Sequence, residues 1–278
     1  MTEPAAAYEV TAIRYGTREA RASEIFLNFH SYQEPDRPVR MDYYFWVARN
    51  DDRTVVIDAG FSPEGGARRG RTMLTTTHES LRLAGVPPDS VSHVVITHAH
   101  YDHIGGLPAF RSARFIITRA EYAFWTGPMA RRGQFAPAAE PAELEYLQRL
   151  HQAGRLTLTG DAYRVAPGIE LTRIGGHTPG QAIVTIATGT GRVVLASDTA
   201  HYYEELELDR PFCMVTDVPD MYAGFDTLRE MAKVTGTRVV AGHDPEVMTR
   251  FPGRALAAGQ PAENLILLSA DGRGHDSH

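Results

Sequence analysis

Short apolar runs, many of them β-branched or aromatic, alternate along the chain with segments of helical spacing. Tyr8–Tyr15, Tyr43–Ala48 and Thr54–Asp58 read as strands, the second rich in aromatics. The polar pair Asn50-Asp51 between the last two reads as a hairpin turn. Arg71–Ala84 has helical spacing, with Met73, Leu74, Leu81 and Leu83 available for a buried face and Gly85 and Pro87 to stop it. Val94–Ile96 and Arg114–Thr118 are short apolar strands. Glu121–Trp125 and Glu140–His151 have helical character and are separated by a loop rich in Ala, Pro and Arg. The strand pattern returns at Leu156–Thr159, Ile169–Arg173, Ala182–Ala187 and Arg192–Ala196, followed by a helix over Met221–Val234 and a strand over Arg238–Ala241. The tail from Asp271 onward is polar. No repeat or long linker divides the chain, so residues 1–278 are expected to form one domain, an α/β layered sandwich.

Composition narrows the function. With 43% apolar and 22% charged residues the 278-residue chain is of globular type, and disorder and low complexity are excluded. Lys+Arg is 28 against Asp+Glu 34, a net charge of -6, and Lys233 is the only lysine. A mildly acidic chain without a basic run is a poor partner for a phosphate backbone, so a small, neutral substrate is expected rather than a nucleic acid. Cys213 is the only cysteine and has no internal partner, which suits a reducing compartment. No apolar run approaches the ~20 residues needed to cross a bilayer, and Met1–Ala7 lacks the features of a signal peptide. The expectation is a cytoplasmic protein without a membrane partner.

The chemistry is concentrated in THAHYDHIGG, directly after the strand Val94–Ile96. It places His98, His100, Asp102 and His103 within six residues. A strand carries residues i and i+2 on one side, so His98 and His100 converge on one ion; after the turn, Asp102 and His103 face a second. Neutral imidazole suits Zn, Fe, Ni or Cu, and a carboxylate adds charge and can bridge. Gly105-Gly106 lets the backbone pass close by. Three later residues also follow strands: His177 in GGHTPGQ, Asp198 in LASDTAH and His243 in VAGHDP. Each stands where α/β architectures assemble sites from loops.

This pattern resembles the metallo-β-lactamase superfamily. The resemblance implies a four-layer αββα sandwich with a two-metal site at one edge of its sheets. It implies that His98, His100 and His177 hold one ion, that Asp102, His103 and His243 hold the other, and that Asp198 bridges them. Asp58, in VVIDAG, matches a recurrent aspartate of the family and is assigned to support of the ligands. Two divalent ions, zinc first with iron, manganese or cobalt as alternatives, would lie roughly 3.5–4 Å apart and share a hydroxide that attacks a carbonyl. Asp102 would orient that nucleophile and pass on a proton.

Within the superfamily, Asp198 stands where common class B β-lactamases use cysteine, and His100 where flavodiiron proteins use a carboxylate. Nucleases of the superfamily carry extra domains or basic surfaces, and the stretch after His243 is short for the helical region of hydroxyacylglutathione hydrolase. RMDYYFWV, LASDTAHYY with RPF, and AGHDPEVM are most similar to N-acyl homoserine lactonases and relatives acting on other small lactones. The implied reaction is opening of a lactone ring. Another ester, thioester or cyclic amide is the alternative, with a mono-iron persulfide dioxygenase-like activity behind it. Where such lactonases often carry a tyrosine three residues after the bridging aspartate, this chain has His201, then Tyr202 and Tyr203. His201 and Tyr202 are therefore candidate catalytic donors. Phe26, Phe29, Tyr43, Phe45, Trp46, Phe124, Trp125, Phe135 and Phe212 supply core and, for some, a cleft wall. Gly127–Glu140 is a lid or an exposed connection, and relatives suggest a homodimer. His30, His78, His93 and His151 fit no ligand spacing.

Overall fold

The computed structural model describes residues 6–251 and 262–269; the polar tail expected from Asp271 lies outside them. The first sheet is built from β1 (Glu9–Arg21), β2 (Pro38–Arg49), β3 (Thr54–Ile57), β4 (Thr72–Met73), β5 (Val91–Val95), β6 (Arg114–Thr118) and β7 (Leu156–Thr159). The second contains β8 (Ala162–Ala166), β9 (Ile169–Arg173), β10 (Ala182–Thr188), β11 (Gly191–Ser197) and β12 (Thr237–Ala241). A last strand, β13 (Leu265–Leu267), returns to the first sheet, whose order is β13-β1-β2-β3-β5-β6-β7 with β4 pairing on β1; the second runs β12-β11-β10-β9-β8. The helices are α1 (Ala22–Ile25), α2 (Pro63–Arg68), α3 (Thr77–Leu83), α4 (Tyr101–Ile104), α5 (Arg119–Thr126), α6 (Pro141–Gln152), α7 (Tyr203–Leu208), α8 (Val218–Ala232) and α9 (Val247–Arg250).

The period-2 alternation of strand side chains sorts the apolar residues into layers. On β2, Met41, Tyr43, Phe45 and Val47 join a core with Leu81 of α3 and Leu147 and Leu150 of α6. Their neighbours Tyr44, Trp46 and Ala48 face the other way, into a core shared with Leu171, Val184, Ile186, Val193 and Leu195 of the second sheet. On the far side of that sheet, Ile183, Val194 and Ala196 pack against Met221, Phe225 and Leu228, one stripe of α8. The order is helices, sheet, sheet, helix: the αββα sandwich that the sequence resemblance implies.

The helix expected over Arg71–Ala84 is shorter. Thr72 and Met73 are strand, paired with Thr17 and Gly16, and only Thr77–Leu83 is helical, capped by the Thr76 side chain. Pairing with β1 overrides the helical spacing there. Gly127–Glu140 forms two short 3₁₀ turns, Pro128–Arg131 and Ala136–Ala138, and Arg69 donates to the Pro137 carbonyl at 2.6 Å.

Candidate metal centre

Strands β3, β5, β6 and β7 run parallel, as do β11 and β12. The loops at their C-terminal ends therefore gather at one edge, the place where open α/β sheets bind ligands. His98 and His100 follow β5, with Asp102 and His103 on α4. His177 lies between β9 and β10, Asp198 directly after β11 and His243 two residues after β12. Close backbone passage makes this possible. A Cβ at Gly106 would lie 2.0 Å from the Ala59 carbonyl oxygen, so only glycine lets the histidine turn pass beneath the β3–α2 loop.

All seven residues are buried. Ligand atoms of His98, His100, His177 and Asp198 lie within 4.8 Å of one another, as do those of Asp102, His103 and His243. Asp198 joins the two groups. Its Oδ2 lies 3.6 Å from His98 Nε2 and 3.3 Å from His177 Nε2, while its Oδ1 lies 3.4 Å from His103 Nε2 and 3.1 Å from His243 Nε2.

The hydrogen bonds on the far side of each ring fix which nitrogen faces inward. His177 Nδ1 donates to the Met214 carbonyl (2.8 Å), His243 Nδ1 to the Asp42 carbonyl (2.9 Å) and His103 Nδ1 to Asp58 Oδ2 (2.8 Å). Thr97 donates its hydroxyl to Asp58 and so is free to accept from His98 Nδ1 at 3.2 Å. With those protons outward, the four Nε2 atoms present lone pairs to the interior. There they meet further acceptors. His100 Nδ1 lies 3.0 Å from His98 Nε2 and 2.9 Å from His177 Nε2, and one proton cannot serve both approaches. His243 Nε2 faces the Asp198 carboxylate, and His103 Nε2 is buried without a hydrogen-bond partner. Lone pairs converging on lone pairs are the arrangement a cation resolves, so the donor set fits two divalent ions.

The electrostatics agree. Burial pushes His98 and His177 well below their ordinary range and His100 down to about 4, which keeps these rings neutral and able to ligate. Burial opposes protonation of His103 as well, yet Asp198, Asp58 and Asp102 hold it well above its usual value. The second group thus sits in a negative field that calls for positive charge.

His201 is fully buried, with Nε2 3.0 Å from Asp198 Oδ2, Nδ1 3.3 Å from Glu205 Oε1, and its ring stacked on Phe212 at 3.7 Å. The Tyr202 ring packs on Phe26, and its hydroxyl donates to the Arg40 carbonyl at 3.3 Å. Tyr203 belongs to the core between the sheets. Trp125 sets its indole against His100 at 5.2 Å. His30, His78, His93 and His151 lie outside both groups.

Two carboxylates that sequence reading passes over also brace this edge. Glu205 accepts from the His201 and Tyr202 amides, and Glu121 accepts four hydrogen bonds between two ligand-bearing loops. Their one sequence signal is an acidic residue in the first turn of a helix.

The family model of the metallo-beta-lactamase superfamily matches residues 40–243, which include every one of the seven. The chain belongs to the metallo-beta-lactamase superfamily. An N-acyl homoserine lactonase from a Bacillus species is 27% identical to it over 239 residues, 76% of this chain and 85% of that protein. The N-acyl homoserine lactonase AiiA of Bacillus thuringiensis subsp. kurstaki is 26% identical over the same share of both. A quorum-quenching N-acyl homoserine lactone lactonase of known structure superimposes with a TM-score of 0.72 at 22% identity, covering 89% of this chain and 97% of that one. The dizinc quorum-quenching lactonase AidC superimposes with a TM-score of 0.71 at 18% identity, covering 98% and 97%. At these identities the structural likeness is one of fold, and it spans both sheets.

Proposed function

We propose that this protein is a dinuclear metal-dependent hydrolase that opens a small lactone ring, an N-acyl homoserine lactone or a close relative. The carrying observation is Asp198, whose two oxygens face two separate groups of ligand atoms. Two divalent ions bound there would supply Lewis acidity to a carbonyl oxygen and lower the pKa of a water held between them. Zinc is the proposed occupant, with iron, manganese or cobalt as alternatives.

The chain's own residues do the rest. His98, His103, His177 and His243 hold position through outer hydrogen bonds to Thr97, Asp58, Met214 and Asp42. Asp102, with its backbone carbonyl fixed by the Tyr15 hydroxyl at 2.7 Å, orients the attacking water and takes its proton. His201 steadies Asp198, its Nε2 lying 3.0 Å from the same Oδ2 that faces His98 and His177, and Tyr202, whose hydroxyl donates to the Arg40 carbonyl, is the other proposed donor. Phe212 and Trp125, packed on His201 and His100, keep the approach apolar. Beyond Trp125, a recess of about 360 Å³ lined by Ala130, Ala136, Ala139, Pro141 and Leu144 is the proposed seat of an acyl tail. No helix among the described residues is long and apolar enough to cross a membrane. The proposed setting is cytoplasmic, in keeping with a lone cysteine that has no internal partner, and the proposed substrate is a small molecule.

A substrate panel on metal-quantified protein tests the reading. Turnover of N-acyl homoserine lactones above aromatic lactones, thioesters and cyclic imides is expected. Absence of turnover for every lactone overturns it, and oxygen consumption with one iron per chain would favour dioxygenase chemistry instead.

A further inference from the structure

Glu121 lies in the first turn of α5 and is fully buried. Its Oε1 accepts from the Ala99 amide (2.9 Å) and the Trp125 indole N–H (2.6 Å). Its Oε2 accepts from the Thr178 hydroxyl (2.6 Å) and the Gly180 amide (3.0 Å). Ala99 stands between His98 and His100, and Thr178 follows His177. One carboxylate thus ties together the two chain segments that bring the nitrogen ligands of the first group: its Ala99 donor lies between His98 and His100, three residues ahead of Asp102, and none of its donors lies near His243 in the chain.

The surroundings are shaped for this contact. A Cβ at Gly180 would lie 2.1 Å from the Glu121 amide nitrogen, so only glycine lets the loop after His177 come this near. Thr118 closes a second link, accepting from the Glu121 amide and donating to the Gly180 carbonyl at 2.8 Å. Trp125, held by the same carboxylate, sets its indole against His100. Hydrogen bonds to an ionised acceptor are the strong, short kind, and four of them fix a geometry that loop backbone alone would leave soft.

We propose that Glu121 is the positioning residue for one half of the metal centre: it sets the separation between the His98–His100 segment and His177, and therefore the affinity for the ion those three rings would hold. The inference rests on the two-ion reading above. Partners of metal ligands typically change metal affinity by about 10–100-fold when altered, and the geometry here makes that effect selective for one ion.

Zinc titration of metal-stripped, full-length protein tests it, with the binding phase that disappears in His243→Ala marking the second group. In Glu121→Gln, whose amide turns hydrogens toward donors, the first phase is expected to weaken by about 10–100-fold with the second unchanged. Thr178→Val should weaken the same phase by less, and Thr178→Ser, which keeps the hydroxyl, should restore it. If Glu121→Gln does not fold, the Thr178 pair decides alone. A wild-type protein that takes up fewer than two zinc ions overturns the two-ion reading. With both ions bound, loss of both phases in step with the melting temperature, or no change in the first, overturns the role of Glu121.

Discussion

At the scale of single residues, the site is governed by which imidazole nitrogen carries the proton. Outward hydrogen bonds to Met214, Asp42 and Asp58 fix the tautomers of His177, His243 and His103 and leave lone pairs inward. Asp58 adopts φ 61°, a left-handed conformation that residues other than glycine seldom take, and it serves both His103 and Thr97. Asp58→Asn removes the charge behind His103 and is expected to weaken the second ion by about 10–100-fold, read by metal titration. Unchanged affinity would show that the His103 tautomer is held some other way. Asp198→Ala should lose metal and activity together. Tyr202→Phe should keep full metal content and lose less than about tenfold in kcat/KM, since its hydroxyl is worth about one modest hydrogen bond. Metal loss in Tyr202→Phe would contradict that assignment. The seven clustered positions were legible because they lie in loops that follow apolar strands and five of them are histidines, with HxHxDH marking the first four. Glu121 and Glu205 were not, because an acidic residue in the first turn of a helix is ordinary; the loop partners of Glu121, Ala99, Thr178 and Gly180, are also distant in sequence.

At the scale of elements, tertiary contacts decided what local pattern could not. Arg71–Met73 scans as helix, yet β4 pairs with β1, and no window of sequence carries that pairing. β1 runs on to Arg21 through an irregularity between Arg14 and Gly16, past the end at Tyr15 that alternation suggested. The contact of α6 with α2 has a pH signature. Burial raises the Glu143 carboxyl to about 7, with Glu140 and Asp102 adding to the rise and the Ser62 hydrogen bond and Arg69 opposing it. A carboxyl raised above its unfolded value contributes stability that is complete below the unfolded pKa and lost as pH rises through the folded one. Melting temperatures of the metal-loaded protein should therefore fall between about pH 5 and pH 8, and Glu143→Gln should flatten that slope by removing the charge. An identical slope would mean the carboxyl ionises freely. On the far side of α6, Leu144→Trp fills the recess beyond Trp125. It should raise KM for long-chain acyl lactones while sparing short-chain ones; equal effects on both would move the acyl tail elsewhere.

At the scale of the whole molecule, the two sheets share one apolar core, and their parallel strands end at a common edge. The site is a consequence of that convergence. His98 and His243 are far apart in the chain, yet both follow strands that end at the same edge. A layered α/β fold was readable from alternating strands and helices, and the resemblance carried by HxHxDH supplied the four-layer αββα order; the strand order within each sheet was not legible. Whether seven buried side chains gather two ions for hydrolysis is read by counting metal per chain while restoring activity to stripped protein. Lactone hydrolysis is expected to be absent without metal and to reach its maximum at two equivalents of divalent ion. Full hydrolysis by metal-free protein, or a maximum reached at a single equivalent, would contradict the two-ion reading.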